Sequence, residues 1–185
     1  MFENDFVRVV RTILVRGRSA PAYSPAATQM VGIQLTPSAL RGTVLFSNSG
    51  SPEKTNVPAD ENIDDIRVEL KASVKTRPME LDAVKIDPGR YKVVLENELV
   101  RVVRLRFESR EAGVMVTHPA RVLATLTDVQ VKLVFADGRR DERGAAAGVP
   151  AWLEEETLQT ENARDVQLEV VLVEPKGKSA DPKRA

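Results

Sequence analysis

The chain has 185 residues, 42% hydrophobic and 29% charged, and its 27 basic residues cancel its 27 acidic ones. That balance supplies no global field to draw in nucleic acid or anionic lipid. The eight aromatic residues (one Trp, two Tyr, five Phe) do not interleave with basic clusters as a base-stacking platform would. The absence of cysteine removes disulfides, thiolate metal sites and cysteine nucleophiles together.

In chain order, Phe6 to Val15 is rich in β-branched residues and predicts a strand. Charges between Glu3 and Arg18 interrupt any signal-peptide core, and no apolar run reaches the ~20 residues of a membrane span. The expectation is a soluble, cytoplasmic protein with no membrane and no nucleic-acid partner. Gly17 to Thr28 reads as a loop, and Met30 to Leu35 and Thr43 to Phe46 as short strands. After a polar loop over Glu53 to Glu61, Ile66 to Lys71 alternates apolar and charged residues with the period of a half-buried strand.

Charges, Pro78 and the turn Asp87-Pro88-Gly89 mark a linker over 75–90, with a short helical turn near Met79 to Val84. Strands are expected at Tyr91 to Leu95, Leu99 to Phe107, Arg121 to Leu126, Val129 to Phe135 and Val166 to Val173. Asp137-Gly138 makes a hairpin turn. Arg139 to Arg143 reads as a charged tip, and Glu154-Glu155-Glu156 as a solvated loop. The polar tail over 176–185 reads as disordered.

The two halves repeat each other. Glu3-Asn4 with Val7 to Arg11 recurs as Glu96-Asn97 with Val100 to Arg104, and Leu35-Thr36 recurs as Leu126-Thr127. Glu61-Asn62 with Asp65 to Leu70 matches Glu161-Asn162 with Asp165 to Val170. Short strands with turn signals at regular spacing predict an antiparallel sandwich or barrel.

From Tyr91 to Val173 the text resembles a bacterial cupin, on YKVVLENELVRVVRLRF, THPARVLATLTD, VKLVFADGR and WLEEETLQTEN. The resemblance implies an all-β double-stranded β-helix (a jelly-roll barrel) in each half. That makes two tandem cupin-like units over 1–74 and 91–175, and a homodimer by analogy. Metal-binding cupins would place histidines at the positions of Val116, His118 and Leu158, and in the first half at Pro25 and Ala27. One histidine and no cysteine fall short of the three ligands a transition-metal site needs, so no metal and no cofactor are expected.

No dinucleotide or phosphate-loop fingerprint occurs. Ser24 and Ser38 have only His118 as a conceivable base, which excludes a Ser-His-Asp triad. The ligand-binding candidates are His118, Arg121, Gln159 and Trp152. His118 would line a barrel, Arg121 would hold a carboxylate, and Trp152 would pack in the core or plug the barrel mouth, or else stack on a ligand. The expected function is non-catalytic binding of a small anionic or carbohydrate-like molecule. The alternatives are a metal-independent isomerase, epimerase or lyase using His118, and a scaffold whose barrels are filled by side chains.

Overall fold

A computed structural model describes residues 1–15, 29–36, 41–48, 62–71 and 79–177. Its strands are β1 (Phe2–Glu3), β2 (Val7–Leu14), β3 (Met30–Gln34), β4 (Val44–Ser47) and β5 (Ile63–Leu70). After helix α1 (Ala83–Ile86) come β6 (Tyr91–Glu96), β7 (Val100–Phe107), β8 (Val116–His118), β9 (Arg121–Thr125) and β10 (Val129–Phe135). The chain then runs through β11 (Arg140–Ala145), β12 (Pro150–Leu153), β13 (Glu156–Asn162) and β14 (Leu168–Pro175). Among the described residues no helix is long and apolar enough to cross a membrane.

The strands form three antiparallel layers. An N-terminal sheet has the order β1-β2-β5-β3-β4, a middle sheet β12-β9-β14-β7-β6 and an outer sheet β11-β10-β13-β8. Strand periodicity explains how the middle sheet serves two neighbours. On β14, Leu168, Val170 and Leu172 pack toward the outer sheet. Val171 and Val173 pack toward the N-terminal sheet against Val9, Ile33, Ile66 and Val68. On β7, Val100 and Val102 join the N-terminal core, while Val103, Leu105 and Phe107 join the outer one. The middle and outer sheets close the second half into a two-sheet barrel. Among the described residues the first half supplies one sheet, not the two that a complete barrel over 1–74 would need.

The repeat is visible in hydrogen bonds. Asn4 Oδ1 accepts from the amides of Phe6 and Val7 at 2.9 and 2.8 Å, and Asn97 Oδ1 accepts from Leu99 and Val100 at 2.8 and 3.0 Å. Lys71 Nζ donates to Glu3 and to the Asn4 carbonyl, as Lys176 Nζ does to Glu96 and the Asn97 carbonyl. Thr36 Oγ1 accepts from the Asp64 amide at 3.0 Å, and Thr127 Oγ1 from the Glu169 amide at 3.0 Å.

These pairs correct the third sequence match. Val7 pairs with Leu70 and Val100 with Pro175, so Leu70 corresponds to Pro175 and not to Val170. The similar Asp-Val-Gln-Leu-Glu-Val text begins at Asp165, ahead of β14, and so marks the wrong register.

The contacts between the N-terminal and middle sheets are reciprocal. Arg11 grips Asp64 with two hydrogen bonds of 2.8 and 2.6 Å and donates to the Gly148 carbonyl at 3.1 Å. Its counterpart Arg104 pairs with Glu169 and reaches the Arg41 carbonyl at 3.5 Å, while Arg41 donates to the Leu126 carbonyl. Gly42 and Gly148 sit at φ +78° and +77°, each beneath the arginine of the other half.

Most expected strands are present, with three corrections. The expected charged tip is β11, paired to β10 from Val129↔Ala145 to Val134↔Arg140. Glu156 of the expected acidic loop begins β13. The helical turn lies slightly later than expected, at Ala83–Ile86, where Asp82 Oδ1 caps the Val84 amide at 3.1 Å. The loop holding Ser24, Pro25 and Ala27, Ser38, and the tail beyond residue 177 lie outside the described residues.

Candidate functional site

The middle and outer sheets enclose a cavity of about 190 Å³. Its walls come from alternate residues of facing strands, including Leu105 of β7, Leu123 of β9, Leu133 of β10 and Leu172 of β14. At one end the lining turns polar, with His118, Arg121, Arg143 and Glu156.

His118 ends β8 directly opposite Glu156 of β13. It is 3% exposed, and its Nε2 lies 3.4 Å from the Tyr91 hydroxyl, with the rings tilted by 48° at a centroid distance of 5.4 Å. Its Nδ1 has no hydrogen-bond partner among the described residues. Burial, then the charges of Arg121 and Arg101, hold the imidazole well below its ordinary pKa. At neutral pH it is therefore an uncharged hydrogen-bonding group. Burial also raises the Tyr91 phenol, so it stays protonated.

Arg121 is 4% exposed. Its guanidinium donates to the carbonyls of Pro119 and Glu154 at 3.0 and 3.2 Å and meets Glu156 at 3.4 Å, while its Nε has no partner among the described residues. Burial pulls its pKa below the usual arginine value, opposed by Glu156 and Glu174, but a guanidinium keeps its proton in proteins. Arg143 of β11 binds the same Glu156 through two contacts of 2.8 and 3.3 Å. One carboxylate thus holds two arginines at the cavity.

A second polar cluster lies outside the cavity lining. Arg101 donates to Glu174 at 2.5 Å and to both oxygens of Asp82 at 2.9 and 3.1 Å. Burial raises the pKa of Glu174, against the pull of Arg101.

Two of the four expected binding residues meet here, and two do not. His118 and Arg121 line the cavity. Gln159 alternates with the inward Leu158 and Thr160, so it points out of the barrel, where its amide donates to the Gly113 carbonyl at 2.8 Å. Trp152 alternates with the inward Ala151 and Leu153, so it faces the N-terminal sheet. There it stacks on Phe6 at 5.7 Å and donates to Glu154 at 2.7 Å, neither plugging the mouth nor touching the cavity. Sequence reasoning missed Glu156, Arg143 and Tyr91. The Arg-Val-Leu-Ala-Thr strand text drew attention to Arg121 but gave no sign of the carboxylate facing it.

Of the three positions in the second half where metal-binding cupins would carry histidines, only His118 is one, and the other two are apolar. Val116 and Leu158 are 1% and 3% exposed and sit opposite each other across β8 and β13. Among the described residues no group of three His, Cys, Asp or Glu comes together. The described residues around His118 do not fit a transition-metal centre.

No protein-family model matches the sequence, and no curated protein matches it. Among solved structures, the chain is similar to a cupin 2 conserved barrel domain protein from Leptotrichia buccalis. That match has 12% identity and a TM-score of 0.53, covering 95% of this chain and 86% of the other. It is similar also to YhaK from Escherichia coli, at 11% identity and a TM-score of 0.52, covering 92% and 86%. A cupin domain from Bordetella pertussis matches 47% of this chain and 92% of its own at 22% identity and a TM-score of 0.44. The fold is that of the cupins. Among the described residues one two-sheet barrel carries an additional sheet on its back.

Proposed function

We propose that the barrel of the second half binds a small organic molecule between its two sheets and performs no chemistry on it. The observation that carries this reading is the cavity of about 190 Å³ with apolar walls and a polar end at His118 and Arg121. A barrel serving as scaffold alone would fill that space with side chains. An imidazole held well below its ordinary pKa, with no carboxylate bonded to it among the described residues, is a weak proton acceptor, which favours binding over catalysis.

A ligand that selects the folded state raises stability by RT ln(1 + [L]/Kd), so a thermal-shift screen of small organic molecules tests the reading. Stabilisation lost in Leu172→Trp, which fills the cavity, is the expected result. A broad screen with no stabilising compound counts against it.

The buried Tyr91–His118 contact favours a second reading, a metal-independent isomerase, epimerase or lyase that shares a proton between these two groups. Turnover of a bound compound that disappears in both Tyr91→Phe and His118→Gln would support that reading over the first. We also read the two halves as one duplicated cupin-like unit, in which the first retains its counterpart of the middle sheet. The matching strand orders and the reciprocal Arg11–Gly148 and Arg104–Arg41 contacts support it.

A further inference from the structure

The cavity limits its ligand in size, polarity and charge. An apolar cavity of about 150 Å³ accepts benzene. A space of about 190 Å³ therefore accommodates a body of that size with a small head group. Beyond the polar end the walls are aliphatic except for Thr160, so a sugar ring would leave several hydroxyl groups desolvated and unpaired. An apolar body suffers no such penalty.

The fixed charges facing the cavity are Arg121, Arg143 and Glu156, two positive and one negative, which leaves one net positive charge. His118 adds none at neutral pH. The nearby acids Asp82 and Glu174 share Arg101 in a cluster with one net negative charge, and none of these three lines the cavity, where the Nε of the buried Arg121 has no partner among the described residues. Asp141 meets Arg143 at 3.2 Å on the solvent side, with 41% of its side chain exposed, where an ion pair contributes little. A buried cation with one carboxylate shared between two arginines leaves donors for a second anion.

We infer that the barrel takes a small monoanion with an apolar body, a carboxylate of about benzoate size, whose head group docks at the Arg121–Arg143–Glu156 cluster beside His118. The inference rests on the reading of this cavity as a binding site. It narrows the anionic or carbohydrate-like expectation to the anionic class and adds an apolar requirement.

The test uses the tag-free full chain, in which His118 is the one histidine, so its imidazole signals in NMR spectra are unambiguous. Benzoate, benzamide and glucuronate are titrated while those signals and the thermal midpoint are followed. Benzoate is expected to shift the His118 signals and stabilise the fold. Benzamide, equal in size but neutral, is expected to bind at least about tenfold more weakly, the scale of one charge-assisted hydrogen bond. Glucuronate, with a polar body, is expected to leave His118 unperturbed.

Arg143→Gln brings the lining to zero net charge from a side chain that is 35% exposed. It should weaken benzoate about tenfold and leave benzamide unchanged. If benzamide perturbs His118 as strongly as benzoate, the anionic class is wrong and cavity binding stands. If benzoate, benzamide and pressurised xenon all leave His118 unperturbed, the cavity reading fails and this inference falls with it.

Discussion

Lowering the pH should unfold this protein partly through one side chain. His118 is 3% exposed, has Tyr91 at 3.4 Å and no carboxylate bonded to it, and shares its surroundings with the cations Arg121 and Arg101. Glu156 stands opposite it across the strand pair but is occupied by Arg121 and Arg143, and Glu174 is occupied by Arg101. Burial lowers the folded-state pKa of His118 below its ordinary 6.5. Below that pH the unfolded chain takes up a proton that the folded chain refuses. Stability from this group is therefore present above pH 6.5 and is lost as pH falls toward the folded-state value.

The limiting slope is about 1.4 kcal/mol per pH unit, approached once pH is below 6.5 and kept until the folded imidazole itself takes up the proton. Raised carboxylates such as Asp65 and Glu174 act in the opposite direction, which makes a difference measurement necessary. Urea unfolding of wild type and His118→Gln across pH 5 to 8 isolates the term. The two stabilities should approach each other as pH falls. A parallel pair of curves, or a His118 imidazole that titrates near 6.5 in the folded protein, would refute the reasoning.

Other perturbations address the rest of the frame. Gly148→Ala forces a side chain into a left-handed backbone and against the Arg11 guanidinium at 2.9 Å, and should cost about 1–2 kcal/mol or more. Adding Arg11→Ala should remove the steric share of that cost, read as non-additivity in a double-mutant cycle. Trp152→Ala should destabilise by about 3 kcal/mol or more through the inter-sheet core, while leaving benzoate affinity unchanged, as measured by calorimetry. Phe107→Ala, at a fully buried ring of the barrel, should cost about 3–5 kcal/mol in chemical unfolding. Glu174→Gln should lower stability at pH 7 by about 1–3 kcal/mol, because Arg101 keeps Asp82 but loses a buried charge partner.

The strands that sequence reasoning found were those whose inward residues are aliphatic. Val129, Val131, Leu133 and Phe135 declare β10 because charge and hydrocarbon alternate on its two faces. β13 hides for the opposite reason: Glu156, Thr160 and Asn162 share its inward face with Leu158, so polar residues occupy core positions. β11 hides because the cover over Phe135 is made by guanidinium groups, Arg143 of the strand at 5.5 Å and Arg139 just before it at 3.8 Å from the ring centroid.

The candidate site was half legible for the same reason. His118 and Arg121 stand out as rare polar residues in strand text, whereas Glu156 looks like one of three consecutive acids. Trp152 and Gln159 are ligand-binding candidates by residue type, and strand alternation places both on the far side of their sheets, Trp152 against the inter-sheet core that is its other expected place. A resemblance supplies the fold but cannot say which face of a strand a given tryptophan takes.

At its central strand β14 the middle sheet has almost no face left for water. A one-residue slip in an ordinary two-layer protein exchanges a buried row for a solvated one; here a slip of β14 would exchange two buried rows, Leu168–Leu172 and Val171–Val173, between differently shaped cores. Neither half can open without stripping hydrocarbon from the strands that wall the other. The chain should consequently melt in one cooperative step, with the amides of β7 and β14 the last to exchange their hydrogens.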